Sequence, residues 1–461
     1  MDTVVLAIRI YIFTSNKLIM VQGYSESLKK KFKEKDIEIG DKIRIEKDGE
    51  VYEGILMPRV EGDRDIIIIK LDNGYNIGIK YNKSLRIEKV SDFKPKEKER
   101  HPISFDSKKP TILILHTGGT IAARVDYRTG GVIASFEPED LIEMFPEIHE
   151  IANIKSKLIR RMFSEDMRFE HHQLIAREIV KAEKVDGIIV THGTDTLHYT
   201  SASLAFMLED LPIPVILVGS QRSSDRPSAD SAMNLICAAK FIAKTDFAGV
   251  AVCMHATTND DFCYIHHPCK VRKMHTSRRD AFQPVNALPY AKVWFKEDRI
   301  EFLRDDYPRR SDKKVKLRDK FEEKVGLVKF YPGFDEKILE FYEKNGYKGL
   351  VLEGYGLGQI PINEIDEFTK ANKRTFNILK RLSEKGCILV ACSQTIFGRV
   401  NLNVYSTGRD MQSIGIIGGD DMHPEVAFVK LKWLLGNYTR EEALKLITKN
   451  LRGEITERTV E

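Results

Sequence analysis

Two short apolar runs, each ending in a polar turn that carries hydroxyl side chains, do most to limit what this chain can fold into. The first, residues 112–122, reads ILILHTGGTIA, a buried-strand pattern that empties into Gly118 and Gly119 with Thr117 and Thr120 on either side. The second, residues 187–197, reads GIIVTHGTDTL and leads into a helical stretch. Strands that are apolar on both faces must be covered on both, so such runs alternating with helices predict a parallel sheet between helical layers. Apolar runs at 215–219 and 249–254, with helical patterns around 166–184 and 200–209, continue the alternation. Ligands in such sheets sit beyond the carboxyl ends of the strands, where both turns fall. Adjacent glycines permit positive φ and leave amides uncovered, which suits a loop that presents a hydroxyl, so Thr120 is the candidate nucleophile. Taken alone, the first turn would serve equally as a phosphate cradle or an ordinary connection; the second makes the pair specific.

TGGTIA together with THGTDT resembles the bacterial-type L-asparaginase/glutaminase family from about Lys109 onward. That resemblance implies an α/β body of two domains and hydrolysis of a carboxamide. It carries over Thr120 as the acyl-accepting nucleophile and Tyr127, on a mobile 126–133 loop, as its activator. The Gly130-Gly131 pair suits a lid hinge there. Thr194, Asp195 and Lys273 resemble the family's second cluster, in which a lysine ammonium favours loss of a threonine proton. Asp195 is implied to hold the substrate's α-ammonium, and Ser164, in FSEDM, its α-carboxylate. Glu165 departs from the glutamine common in the secreted enzymes and adds a second acidic group toward that ammonium. The amides of Gly119 and Thr194 are candidate oxyanion donors.

The chain of 461 residues is long enough for two or three domains, and its net charge of +5 sets up no field that dictates a nucleic-acid partner. The opening apolar run at 4–13 is too short to span a bilayer and is interrupted by Arg9, so it reads as a strand or as an extension before Met20. Six cysteines without paired spacing point to thiols in a reducing cytosol, hence a cytoplasmic chain without membrane contact. Residues 1–92 are expected to form a small β-barrel domain of short alternating strands, KIRIE, VYEGILM, DIIIIKLD and YNIGIKY, turned at Asp48-Gly49 and Asn73-Gly74. The basic run at 27–35 reads as a solvated helix face. A charged linker at 93–109 precedes an N-terminal asparaginase-like domain at 110–300, a strand-poor connection at 301–324 and a smaller C-terminal α/β domain at 325–461. Thr439 and Glu442 have the spacing of a capping box at the start of a last helix.

Between His255 and His275, the residues Cys263, His266, His267 and Cys269 invite a zinc reading, which the lack of C-x2-C or H-x3-H spacing argues against, so no metal is expected. The stretch 353–361, EGYGLGQIP, resembles the family's glycine-rich strand end near a neighbouring subunit's site. The stand-alone enzymes begin close to the first threonine motif, whereas a barrel and a charged linker come before it here. In this the chain resembles the D subunits (GatD) of archaeal glutamyl-tRNA(Gln) amidotransferases. That resemblance implies a homodimer within a heterotetramer and glutamine hydrolysis in this chain, with ammonia passed to a partner E subunit (GatE). GatE would bind Glu-tRNA(Gln) and use ATP and Mg, this chain needing no cofactor and showing no P-loop. The alternatives are a free-standing cytosolic asparaginase/glutaminase and an RNA-binding regulator with an inert hydrolase body.

Overall fold

The computed structural model describes residues 23–59, 63–71, 76–82, 84–92, 105–119, 121, 123–125, 132–134, 146–223 and 229–458. The opening run at 4–13 and the Asn73-Gly74 turn lie outside them. Two compact units make up the chain, one of Met1–Phe105 with Ala122–Phe136 and Arg222–Ala229, the other of the remainder.

In the first unit five strands, Lys42–Lys47, Glu50–Leu56, Ile66–Leu71, Asn76–Lys80 and Arg86–Ser91, form an antiparallel sheet. The Asp48-Gly49 turn has φ of 52° and 85°, the left-handed pair that a two-residue hairpin demands. Ile43, Ile45, Ile67, Ile69 and Ile87 point to one face, where the helix Glu26–Glu34 adds Leu28 and Phe32. Ser25 caps that helix, its hydroxyl accepting from the Leu28 amide at 3.4 Å, and the lysines stay outside. The fifth strand was not foreseen, because in RIEKVS a single buried isoleucine is surrounded by charge.

The second unit holds an eight-stranded sheet in the order Ile300–Phe302, Ala291–Trp294, Phe262–His266, Gly249–His255, Pro214–Val218, Gly187–Thr191, Thr111–Gly118, Asn153–Met162. The last five named are parallel, and the first three extend the sheet antiparallel, an extension that the alternation of apolar runs and helices does not announce. A four-stranded parallel sheet follows, of Val325–Lys329, Gly349–Gly354, Ile388–Ser393 and Ile416–Gly418. Between the sheets lies the helix Leu197–Met207, buried at nearly every position although it carries His198, Thr200, Ser201 and Ser203. It packs on the helix Pro424–Asn437, with Phe206 and Trp433 stacked at 5.4 Å, so one core serves both sheets. Thr439 and Glu442 form the expected capping box.

The residues after the last helix fold back on the body. Lys430 and Glu454, both fully buried, pair at 2.6 Å, and Lys430 also donates to the carbonyls of Ile447 and Lys449. The Glu454 carboxylate accepts from the amides of Leu451 and Arg452. Removing one member strands a buried charge, so Glu454→Leu is expected to cost about 3–5 kcal/mol, whereas Lys430→Met with Glu454→Leu recovers most of it. Urea unfolding followed by fluorescence measures both, and a single substitution costing less than about 1 kcal/mol would contradict this account.

Candidate active site

The two threonine loops leave the same edge of the sheet side by side. Their strands are parallel neighbours, with Thr191 opposite His116 in register. Thr117 Oγ1 donates to the Thr191 carbonyl at 2.8 Å, and His116 Nδ1 lies 3.1 Å from Thr191 Oγ1. Beyond them the backbones converge. Gly119 adopts a φ of 76°, and a Cβ built on it would stand 2.4 Å from the Gly193 amide nitrogen and 2.5 Å from its Cα. No other residue fits there, since any side chain would drive the loops apart. Thr120 follows this contact directly in the chain and Thr194 follows its partner, which brings the two turns to one place. Thr120 and Tyr127 lie outside the described residues.

Thr194 is buried, and its Oγ1 accepts from Lys273 Nζ at 2.8 Å. The same ammonium pairs with Asp195 Oδ1 at 2.8 Å, while the Asp195 side chain stays 63% exposed, so its second oxygen faces solvent. Ser164 Oγ accepts from the Asp195 amide at 3.1 Å and keeps its own proton to donate elsewhere. Thr196 Oγ1 donates to the Ser164 carbonyl at 2.7 Å, which ties the Ser164–Asp166 turn under the loop. Glu165 is exposed beside it. Thr194, Asp195, Ser164 and Lys273 therefore form one connected group, in which the Asp195 carboxylate is exposed and the two hydroxyls are buried.

One expected donor is otherwise engaged. The Gly119 amide, read from the sequence as an oxyanion donor, gives its hydrogen to the Met162 carbonyl at 2.9 Å, because the strand Asn153–Met162 runs alongside at the same edge. Among the described residues no group accepts from the Thr194 amide, the other candidate donor.

Lys273 is held by what surrounds its strand, Val271–Lys273, which pairs with Phe282–Pro284. Arg272 makes a 2.7 Å salt bridge to Glu425, and Lys270, fully buried, pairs with the equally buried Asp421 at 2.7 Å. Both carboxylates come from the C-terminal half of the second unit. Reading the sequence picked out Lys273 and missed Lys270, although in KVRK the cations Lys270 and Arg272 stand two apart, on the face opposite to Lys273. The stretch 353–361 supplies a bridge between Tyr355 and Gln359, and Tyr355 is 38% exposed.

Comparison with known proteins gives the chain its relatives. Residues 111–307 match the N-terminal asparaginase model, 324–447 the glutaminase/asparaginase C-terminal domain, and 37–90 the GatD N-terminal domain. The D subunit of the glutamyl-tRNA(Gln) amidotransferase of Pyrococcus horikoshii is 50% identical over 434 residues, covering 92% of this chain and 96% of that one. This chain belongs to the GatD family of glutamyl-tRNA(Gln) amidotransferase subunits. The corresponding protein of Archaeoglobus fulgidus is 46% identical over 90% of this chain and 95% of its own. Among solved structures, the thermostable L-asparaginase from Thermococcus kodakarensis matches with a TM-score of 0.66 and 31% identity, covering 75% of this chain and 99% of that one. The GatD family thus carries an asparaginase-like body with an added N-terminal domain. No helix among the described residues is long and apolar enough to cross a membrane.

Buried histidines line the floor of the site. Burial pulls His116 and His192 down to about 4 and His172 to about 3, from 6.5. Above pH 6.5 these rings are neutral whether the chain is folded or not, and their stabilisation is whole. Below it the unfolded chain binds protons that the folded chain refuses until about pH 4, so stability drops as the pH drops across that window. Each ring adds about 1.4 kcal/mol per pH unit to that slope. Urea midpoints at pH 6.5, 5.5 and 4.5 read it directly, and constant stability over this range would show that the rings are not buried as described.

Proposed function

We propose that this chain is the glutamine-hydrolysing subunit of a tRNA-dependent amidotransferase, and that the ammonia it releases serves a partner E subunit in converting Glu-tRNA(Gln) to Gln-tRNA(Gln). The observation that carries this reading is the 2.8 Å contact between Lys273 Nζ and Thr194 Oγ1, in a loop pressed against the one that bears Thr120. An unactivated amide needs an ionised nucleophile, a site for the developing oxyanion and a proton for the leaving ammonia. In this reading Thr120 attacks the side-chain carboxamide of glutamine, with Tyr127 from the following loop taking its proton. The Lys273 ammonium lowers the cost of charge on Thr194, which relays a proton to the departing nitrogen. Asp195 and Glu165 receive the α-ammonium, and Ser164 donates to the α-carboxylate. Water then releases glutamate from the threonine ester.

The hydrolase work needs no cofactor in this chain; ATP and Mg belong to the E subunit, and the assembly is a homodimer of this chain within a heterotetramer acting in the cytoplasm. A free-standing asparaginase is the rival reading, supported by the likeness to L-asparaginase structures. The added domain at 37–90, shared with the GatD relatives, favours the amidotransferase.

The test is ammonia release by the chain assembled with its E subunit and Glu-tRNA(Gln). Thr120→Val and Thr194→Val are each expected to lower turnover by about three orders of magnitude or more while the fold is kept, and Lys273→Met by about two to three. Retained turnover in either threonine variant would remove the proposed site. Faster hydrolysis of free asparagine than of glutamine, with no E subunit bound, would favour the rival.

A further inference from the structure

Beneath the second threonine loop runs a line of buried side chains to which the hydrolysis outlined above gives no part. His192 Nδ1 lies 2.6 Å from the Gly193 carbonyl oxygen, and its Nε2 lies 2.8 Å from Thr200 Oγ1. Thr200 Oγ1 is also 3.0 Å from His172 Nε2, and His172 Nδ1 is 2.9 Å from Ser203 Oγ. All four side chains are buried. The direction of every proton in this line follows from its first member. A carbonyl only accepts, so His192 Nδ1 carries hydrogen, and a ring kept neutral by burial then has a bare Nε2. The Thr200 hydroxyl donates to that nitrogen at 2.8 Å in preference to the Thr196 carbonyl, 3.4 Å away, which makes Thr200 Oγ1 an acceptor from His172 Nε2–H. The remaining His172 nitrogen in turn accepts from Ser203, and every donor is used.

The end of the line is a single peptide plane. In a trans peptide the N–H of Thr194 points opposite to the C=O of Gly193. Tying the carbonyl down to His192 therefore turns the Thr194 amide to the side away from His192. A peptide able to rock would present that hydrogen only part of the time, and donor alignment decides how much an oxyanion site contributes.

We propose that His192, aligned through Thr200, His172 and Ser203, is a positioning residue that fixes the Gly193–Thr194 peptide so that the Thr194 amide meets the oxygen on which charge develops during amide hydrolysis. The inference rests on reading the site as a glutamine-hydrolysing centre. Its substrate holders, Ser164 and Asp195, are left untouched by changes in the line, so its signature is a loss in kcat without an equal change in KM.

Two measurements on the full chain decide it. In the complex with the E subunit and Glu-tRNA(Gln), Thr200→Val is expected to lower kcat for glutamine about 10- to 100-fold, with KM changed by less than about threefold. Thr200→Ser, which restores the hydroxyl, recovers most of the rate, and Ser203→Ala, which removes only the last donor, costs about threefold. Independently of turnover, 15N NMR of histidine-labelled protein at pH 7 is expected to show His192 as the neutral Nδ1–H tautomer and His172 as the neutral Nε2–H tautomer. The opposite tautomers, or a folded Thr200→Val with kcat within about twofold of the parent, would overturn the proposal. If the unaltered complex releases no ammonia from glutamine, the glutaminase reading fails instead, and the tautomers still decide whether the line exists as drawn.

Discussion

The close approach of Gly119 to Gly193 is the constraint on which the rest of the site depends. Two parallel strands bring their loops to one edge, but strands alone leave side chains between them. The two backbones touch because Gly119 carries no Cβ, and Gly193 is bare for a second reason, since its own Cβ would stand 2.8 Å from the Ser164 side chain. Everything else holds this contact in place. Met162 takes the Gly119 amide from one side, and His192 takes the Gly193 carbonyl from the other. Ser164 and Thr196 brace the loop from below. Lys273 reaches the Thr194 hydroxyl from a third element.

Much of this was legible beforehand, for identifiable reasons. Apolar runs that end in glycine and threonine announce strands and their loops, because a buried strand cannot alternate polar residues and a tight turn has few residue choices. The strand Gly187–Thr191 and the capping box at Thr439 follow local rules and came out as read. The antiparallel strands from Phe262 to Phe302 were harder. They are short and only partly buried, and their pairing is set by neighbours distant in the chain. The fifth strand of the N-terminal unit escaped notice for the same reason.

Within the site, residue types could be read but not their engagements. That the Gly119 amide is spent on Met162 depends on a strand more than forty positions away, and nothing in TGGT reveals it. Likewise His172, Thr200 and Ser203 look like ordinary polar residues of two helices until the fold lines them up behind His192. Lys270 and Arg272 resemble surface cations in sequence, yet one is fully buried and both are tied to carboxylates from the other half of the body. Burial and partnership are tertiary facts, and they decide which charges position the site and which merely keep the surface wet.

Asp421 also has a bearing on what the end of the chain contributes. Its carboxylate is shared between Lys270, on the approach to the Lys273 strand, and the backbone and hydroxyl of Thr456. Arg399 and Arg452 fasten the same terminal stretch to the body. A chain cut before residue 450 would keep Asp421 as the partner of Lys270 but lose the hold of Thr456 on that carboxylate, and the strand that carries Lys273 would be less firmly seated.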